Sequence, residues 1–243
     1  LIYLKIQKHI VYMEKLGTNY GGWFVPRYMN FDENSIIYSG GVGEDISFDI
    51  LLQSKYKSNI YLIDPTKKSI VHYQEIKDYF MKKEKNGITG NIQPDYLQCI
   101  NNITPNFDRI QYVDKGLWKC SDKLKFYKQT NPNYVSQSLI DNMFGNEYDE
   151  INVVSIKDIM NEYGHSKIDL LKLDIEGAEI EVLQQMLDDK IFPGYVLVEF
   201  DLLLKKKDFE QKTQNIVRRL LESNYNILIN DNYNITFKRR DYI

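Results

Sequence analysis

The chain has 243 residues, of which 43% are hydrophobic and 27% charged. That is the make-up of an ordinary folded domain, and it excludes a disordered, collagenous or coiled-coil chain. No apolar run nears the roughly 18 residues of a membrane-spanning helix. With 31 basic and 34 acidic residues the net charge is −3, so there is no broad basic footprint and nucleic acid is not an expected partner. Lys205-Lys206-Lys207 and Lys238-Arg239-Arg240 are short enough to be solvated surface.

The first 16 residues carry Leu1, Leu4, Ile10, Val11, Met13 and Leu16 near helical spacing. This predicts an amphipathic helix ended by Gly17. Tyr20-Gly21-Gly22-Trp23 predicts a turn, and Pro26 biases Val25 towards an extended segment. Residues 1–34 therefore read as an arm, and residues 35–243 as the main domain.

From Ile36 the pattern alternates. Ile36-Ile37-Tyr38 predicts a strand that stops at Ser39-Gly40-Gly41-Val42-Gly43, and a helix follows over 45–55. Asn59–Ile63 predicts a second strand and 67–83 a second helix. Residues 86–106 read as loop with a short helix, and Arg109–Val113 as a third strand. Residues 116–150 break the alternation, with short β segments at 123–127 and 151–154. It returns with helix 155–163, strand 168–174, helix 178–188, strand 195–200 and helix 209–223. Tyr225–Ile229 and Tyr233–Lys238 predict a closing hairpin. Such alternation means an α/β fold: a mostly parallel central sheet, helices on both faces and an antiparallel C-terminal hairpin.

In an open α/β sheet the ligand lies beyond the carboxyl ends of the strands. The first turn, Ser39–Glu44, lacks the third glycine of a dinucleotide fingerprint, because position 46 is Ile46, and it lacks the Gly-Lys-Ser/Thr of a P-loop. Glu44 and Asp45 stand where a phosphate would meet the helix, so the turn suits a cationic, phosphate-free ligand. Asp64 ends the second strand. Two roles are open to it: acceptor for the hydroxyls of a ribose, or N-cap of the helix that Asp64-Pro65 begins. Lys172, Asp174 and Glu176 alternate at period two and share one face if the strand runs that far. The alternative is a strand ending at Asp174, with Glu176 capping the next helix and Lys172 neutralising Asp174.

The glycine turn, the acid after strand two and Leu170-Leu171-Lys172-Leu173-Asp174-Ile175-Glu176-Gly177-Ala178-Glu179 together resemble the FkbM-type methyltransferases. Gly21-Gly22-Trp23, Asp64-Pro65-Thr66, Gly116-Leu117-Trp118, Asn131-Pro132-Asn133, Val135-Ser136-Gln137-Ser138 and Val198-Glu199-Phe200 add to the likeness, which covers about residues 20–240. The resemblance implies a Rossmann-like methyltransferase fold, S-adenosylmethionine as cofactor, and O-methylation of a sugar or other small-molecule hydroxyl. It implies cofactor contacts at Tyr38, Ser39, Gly40, Gly41, Gly43, Glu44, Asp64, Pro65, Gly116, Leu117 and Trp118. Catalysis falls to Asp174 with Glu176 and Lys172, and acceptor binding to Trp23, Ser136 and Glu199. The acid that leads the first turn in the general pattern is replaced by Tyr38-Ser39, and Glu44 and Asp45 are the substitutes at hand.

The three histidines are scattered and no Cys-x-x-Cys occurs, so no four-ligand zinc site is expected and no residue is assigned to a metal; a divalent metal between Asp174 and a second carboxylate such as Glu199 is the open alternative. Cys99 and Cys120 should be free thiols in a reducing, cytoplasmic setting. The chain opens on Leu1 with neither Met nor a signal-peptide plan, so its start is expected to lie upstream. Competing readings are a methyltransferase for a nucleic-acid 2′-hydroxyl, a non-catalytic module on the same scaffold and, last, a nicotinamide oxidoreductase.

Overall fold

The computed structural model describes residues 12–82, 87–131, 135–141, 143–200, 207–231 and 233–243, with only the backbone described at 207–209. Most of the predicted helix 1–16 lies outside these residues. Its end is a strand: β1 (Met13–Leu16) pairs antiparallel with β2 (Trp23–Pro26). Here the pairing partner across the glycine-rich turn overrides the helical spacing, and Gly22 N–H closes the turn on Thr18 O at 3.0 Å.

The main domain follows the predicted alternation: β3 (Ile36–Gly40), α1 (Ser47–Tyr56), β4 (Asn59–Ile63), α2 (Lys67–Lys82), α3 (Tyr96–Ile100) and β5 (Ile110–Val113). The irregular stretch builds β6 (Gly116–Leu117), β7 (Asp122–Lys128), β8 (Gln137–Ser138) and β9 (Tyr148–Val154), a separate four-stranded sheet in the order β6-β9-β7-β8. The rest is α4 (Ile156–Tyr163), β10 (Leu170–Leu173), α5 (Glu179–Asp188), β11 (Tyr195–Glu199), α6 (Lys207–Glu222), β12 (Tyr225–Asp231) and β13 (Asn234–Arg239). α4 starts where predicted because Ser155 and Asp158 form a reciprocal capping box, and it ends on Gly164 in the left-handed region.

The large sheet has seven strands in the order β12-β13-β11-β10-β3-β4-β5. β11, β10, β3, β4 and β5 run parallel, while β13 pairs antiparallel with both β11 and β12. Alternation along the strands splits the core in two. Ile37, Leu62, Leu170 and Leu197 pack with Phe48, Leu52, Ile76 and Tyr96 from α1–α3. Tyr38, Leu171, Leu173 and Val198 pack with Ile159, Leu183, Met186 and Leu220 from α4–α6. The strand order reverses at β3, whose chain successor β4 lies on one side and β10 on the other. That switch point opens a crevice at the carboxyl ends.

Candidate active site

The crevice is set by the turn after β3. Gly41 and Gly43 have φ of 70° and 52°, a region that favours glycine. Gly41 N–H donates to Ile63 O at 3.0 Å, and its carbonyl accepts from Lys172 Nζ at 2.6 Å. A side chain at Gly41 would collide with the backbone carbonyl of Asp174. The turn is thus pressed between β4 and the end of β10.

Beyond it lies a cavity of about 240 Å³. Eleven predicted site residues line it: Gly41, Gly43, Glu44, Asp64, Pro65, Gly116, Leu117, Ser136, Lys172, Asp174 and Glu176. Six do not. Tyr38 points into the opposite core, where its hydroxyl meets His165 Nδ1 at 2.7 Å. Ser39 is wholly buried below the turn, and Gly40 is packed under Leu117, whose Cδ1 leaves no room for a side chain. Trp118 lies outside the cavity with Lys119 Nζ over its ring. Trp23 is buried and stacks its ring beneath Lys172 Nζ, 5.8 Å away, so it packs against the site from below. Glu199 is absent from the wall, but the β10–β11 register, with Leu173 opposite Val198, sets it beside Asp174.

Asp64 is almost fully buried. Its Oδ2 accepts from Val42 N–H at 3.0 Å and Gly43 N–H at 2.9 Å, and its Oδ1 accepts from Thr66 N–H at 2.8 Å. It fastens the glycine turn to the start of α2, with Oδ1 the less committed oxygen. The neighbouring Thr66 hydroxyl is buried, lines the cavity and has no partner.

Asp174 contrasts with it. β10 stops at Leu173, so Lys172, Asp174 and Glu176 do not form one strand face. Asp174 leaves 33% of its side chain exposed at the cavity, with Lys172 Nζ 3.9 Å from its Oδ2. Loss of bulk water in the recess pushes its carboxyl up; Lys172 opposes this and Asp64 adds to it. Glu199 is pushed up to about 7, chiefly by burial and then by Asp174 and Glu176. Glu176 takes a left-handed φ of 56°, and its carbonyl accepts from Ser138 Oγ at 2.6 Å. It does not cap α5, because Glu179 Oε1 accepts the N–H groups of Ile175 and Gly177, each at 3.0 Å.

Of the two acids after the turn, Asp45 is committed: Oδ2 accepts from Thr18 Oγ1 at 2.5 Å and Oδ1 from Ser47 N–H at 2.9 Å. Glu44 lines the cavity with Oε2 buried and unpartnered. Thr18 also anchors Gly21 N–H at 2.9 Å, and Asn19 N–H reaches Asp95 Oδ2 at 2.8 Å. These bonds hold the β1–β2 turn over the crevice, where Tyr20 and Gly21 complete one wall. Sequence reading did not single out Asn91, Gln93, Phe126 or Leu139, which also line the cavity and carry no local pattern. Among the described residues, no group of three or more His, Cys, Asp or Glu is arranged to hold a metal ion.

A family model described as the methyltransferase FkbM domain matches residues 40–227, most of the chain. The chain belongs to the FkbM methyltransferase family. The matched region begins at the glycine turn and includes Asp64, Asp174 and Glu199. A search of curated proteins found no match. Among the described residues, no helix of this FkbM methyltransferase is long and apolar enough to cross a membrane.

Proposed function

We propose that the chain is an O-methyltransferase that takes its methyl group from S-adenosylmethionine and passes it to a hydroxyl of a sugar or other small molecule, on a Rossmann-like methyltransferase fold. The observation that carries this reading is Asp174, a carboxylate at the cavity wall beside the glycine turn and, among the described residues, free of any hydrogen bond that would tie it to structure.

The residues fit the donor. Gly41 and Gly43 leave backbone, not side chains, on the wall. Glu44 Oε2 is a buried, unpartnered acceptor suited to an ammonium group, and among the described residues Lys172 is the sole cation on a wall that carries five carboxylates. Such a wall repels phosphate and attracts a cation. Asp64 Oδ1 and the Thr66 hydroxyl stand ready for ribose hydroxyls, and Pro65, Gly116 and Leu117 supply apolar contact. When bound, the donor supplies an electrophilic methyl group on a cationic sulfur. Asp174 accepts the proton of the attacking hydroxyl, and its raised pKa makes it a stronger base than an ordinary aspartate. Asn91, Gln93, Ser136 and Gln137 give the mouth amide and hydroxyl groups that suit a polyhydroxyl acceptor. The free thiols Cys99 and Cys120 support a cytoplasmic setting. In this reading the described residues 12–34 serve as a cap on a catalytic domain that begins at residue 35.

The test is a screen of sugars and small alcohols for methyl transfer, followed by Asp174→Asn on the acceptor found. The variant should fold, bind S-adenosylhomocysteine within a few-fold of the parent, and lose about 10²–10⁴-fold in rate. Full turnover by the variant would remove Asp174 from the chemistry.

A further inference from the structure

Asp49 lies in the first turn of α1, below the glycine turn and outside the cavity. Its side chain is 1% exposed, and neither carboxylate oxygen has a hydrogen-bond partner. A buried carboxylate left this way is unstable unless a cation answers it. The cation whose field reaches it is Lys172, assisted by the Ser39 hydroxyl and opposed by Asp45. Lys172 and Ser39 are register partners on β10 and β3, and the wholly buried Ser39 hydroxyl is the neighbour that favours the charged form of Asp49. Tyr96, on α3, is the remaining titratable group influenced by Asp49.

Lys172 itself is 4% exposed. It gives one hydrogen bond to Gly41 O and stands 3.9 Å from Asp174, too far for a second. Lys172 thus faces one carboxylate at the cavity wall, and the buried carboxylate of Asp49 lies within reach of its field. A cationic donor entering the cavity both repels this ammonium and competes with it for Asp174.

We propose that Asp49 is a positioning residue, the buried counter-charge that receives Lys172 when a cationic donor takes Asp174. The inference rests on the donor assignment above. It requires differential binding, since a ligand shifts such an equilibrium only by acting unequally on its two states. S-adenosylmethionine carries the sulfonium charge; S-adenosylhomocysteine, the same molecule with a neutral thioether, does not.

The experiment is calorimetric titration of both compounds into the parent and Asp49→Asn. The variant should weaken S-adenosylmethionine about tenfold and S-adenosylhomocysteine by less than about twofold, the scale of a lost charged interaction. In a Lys172→Met background, Asp49→Asn should no longer change the ratio of the two affinities. If Asp49→Asn does not fold, Ser39→Ala takes its place, with an expected change in the ratio of about two- to threefold. Equal weakening of both compounds, or an effect that persists without Lys172, overturns the role of Asp49 and leaves the donor assignment standing. A parent that binds neither compound overturns both.

Discussion

Asp64 closes β4 and Asp174 follows β10, so two carboxylates flank the glycine turn from opposite sides at the same level of the sheet. Asp64 is 4% exposed and accepts three backbone N–H groups. Asp174 is a third exposed, and its one close ionic neighbour is Lys172 at 3.9 Å. The first carboxylate is spent on holding the turn. The second is held up by the fold without being used by it, which is the condition a proton acceptor needs. On the proposed function, the chemistry of this crevice belongs to the β10 side and its rigidity to the β4 side.

The largest break in that contrast comes at the seam. Gly41 touches both sides, through its N–H to Ile63 O on β4 and its carbonyl to Lys172 on β10. Gly41→Ala adds a methyl that has no room against Asp174 O, at a φ that alanine disfavours. Turn and strand must part, at a cost of about 3–5 kcal/mol. We expect the melting temperature to fall by roughly 10 °C or more, and binding of S-adenosylhomocysteine to be lost with it. A thermal melt with and without ligand checks both. An Ala variant that melts like the parent would mean that the turn is not clamped at the seam.

What the sequence made legible follows from locality. Strands such as Tyr195–Glu199 and helices such as Lys67–Lys82 carry their pattern within a dozen residues, and both appear where expected. β1 does not, because Met13–Leu16 becomes a strand only through its partner Trp23–Pro26. The same limit governs the site. Asp64, Asp174 and the glycine turn are legible as cavity-lining residues because they sit at strand ends. The reading carried three residues too far up β3, since strand periodicity alone does not say which residue first clears the sheet. Tyr38 and Gly40 turn to one core and Ser39 to the other. Asn91, Gln93 and Phe126 reach the cavity only through the tertiary fold. Asp49 carries no local signal in the sequence, and burial alone reveals it.

A smaller effect sharpens the contrast itself. Asp64→Asn keeps the shape but sets an amide where three N–H groups now converge. At least one donor loses its acceptor, worth about 1–3 kcal/mol. The melting temperature should drop by about 2–10 °C, and affinity for S-adenosylhomocysteine should fall as the turn loosens. Asp174→Asn, measured beside it, should leave the melting temperature unchanged or slightly higher, because it removes a carboxylate from a recess that disfavours its charge. Matching losses in the two variants would erase the division of labour drawn here.

The smallest effect is a pH dependence on the β10 side. Glu199 ends β11 beside Asp174, and burial first, then Asp174 and Glu176, push its carboxyl up to about 7 from the ordinary 4.5, with Lys172 opposing. The folded chain thus holds this proton more tightly than the unfolded chain does. Below about pH 4.5 both states are protonated there, and the stabilising contribution is fully present. As pH rises towards 7 the unfolded state releases the proton while the folded state keeps it, so stability falls across that window. Glu199→Gln stays neutral at every pH and escapes the loss. Asp49, Asp174 and Glu179 are also pushed up, and His72 is pushed down by burial to about 4. All four remain in the variant, so subtracting the two melting curves leaves mainly Glu199. The parent should lose ground to Glu199→Gln by roughly 1–2 kcal/mol between about pH 4.5 and 7, allowing for water at the strand end. A difference that stays flat across the window would place Glu199 outside the carboxylate cluster and leave Asp174 as the raised acid of the cavity wall.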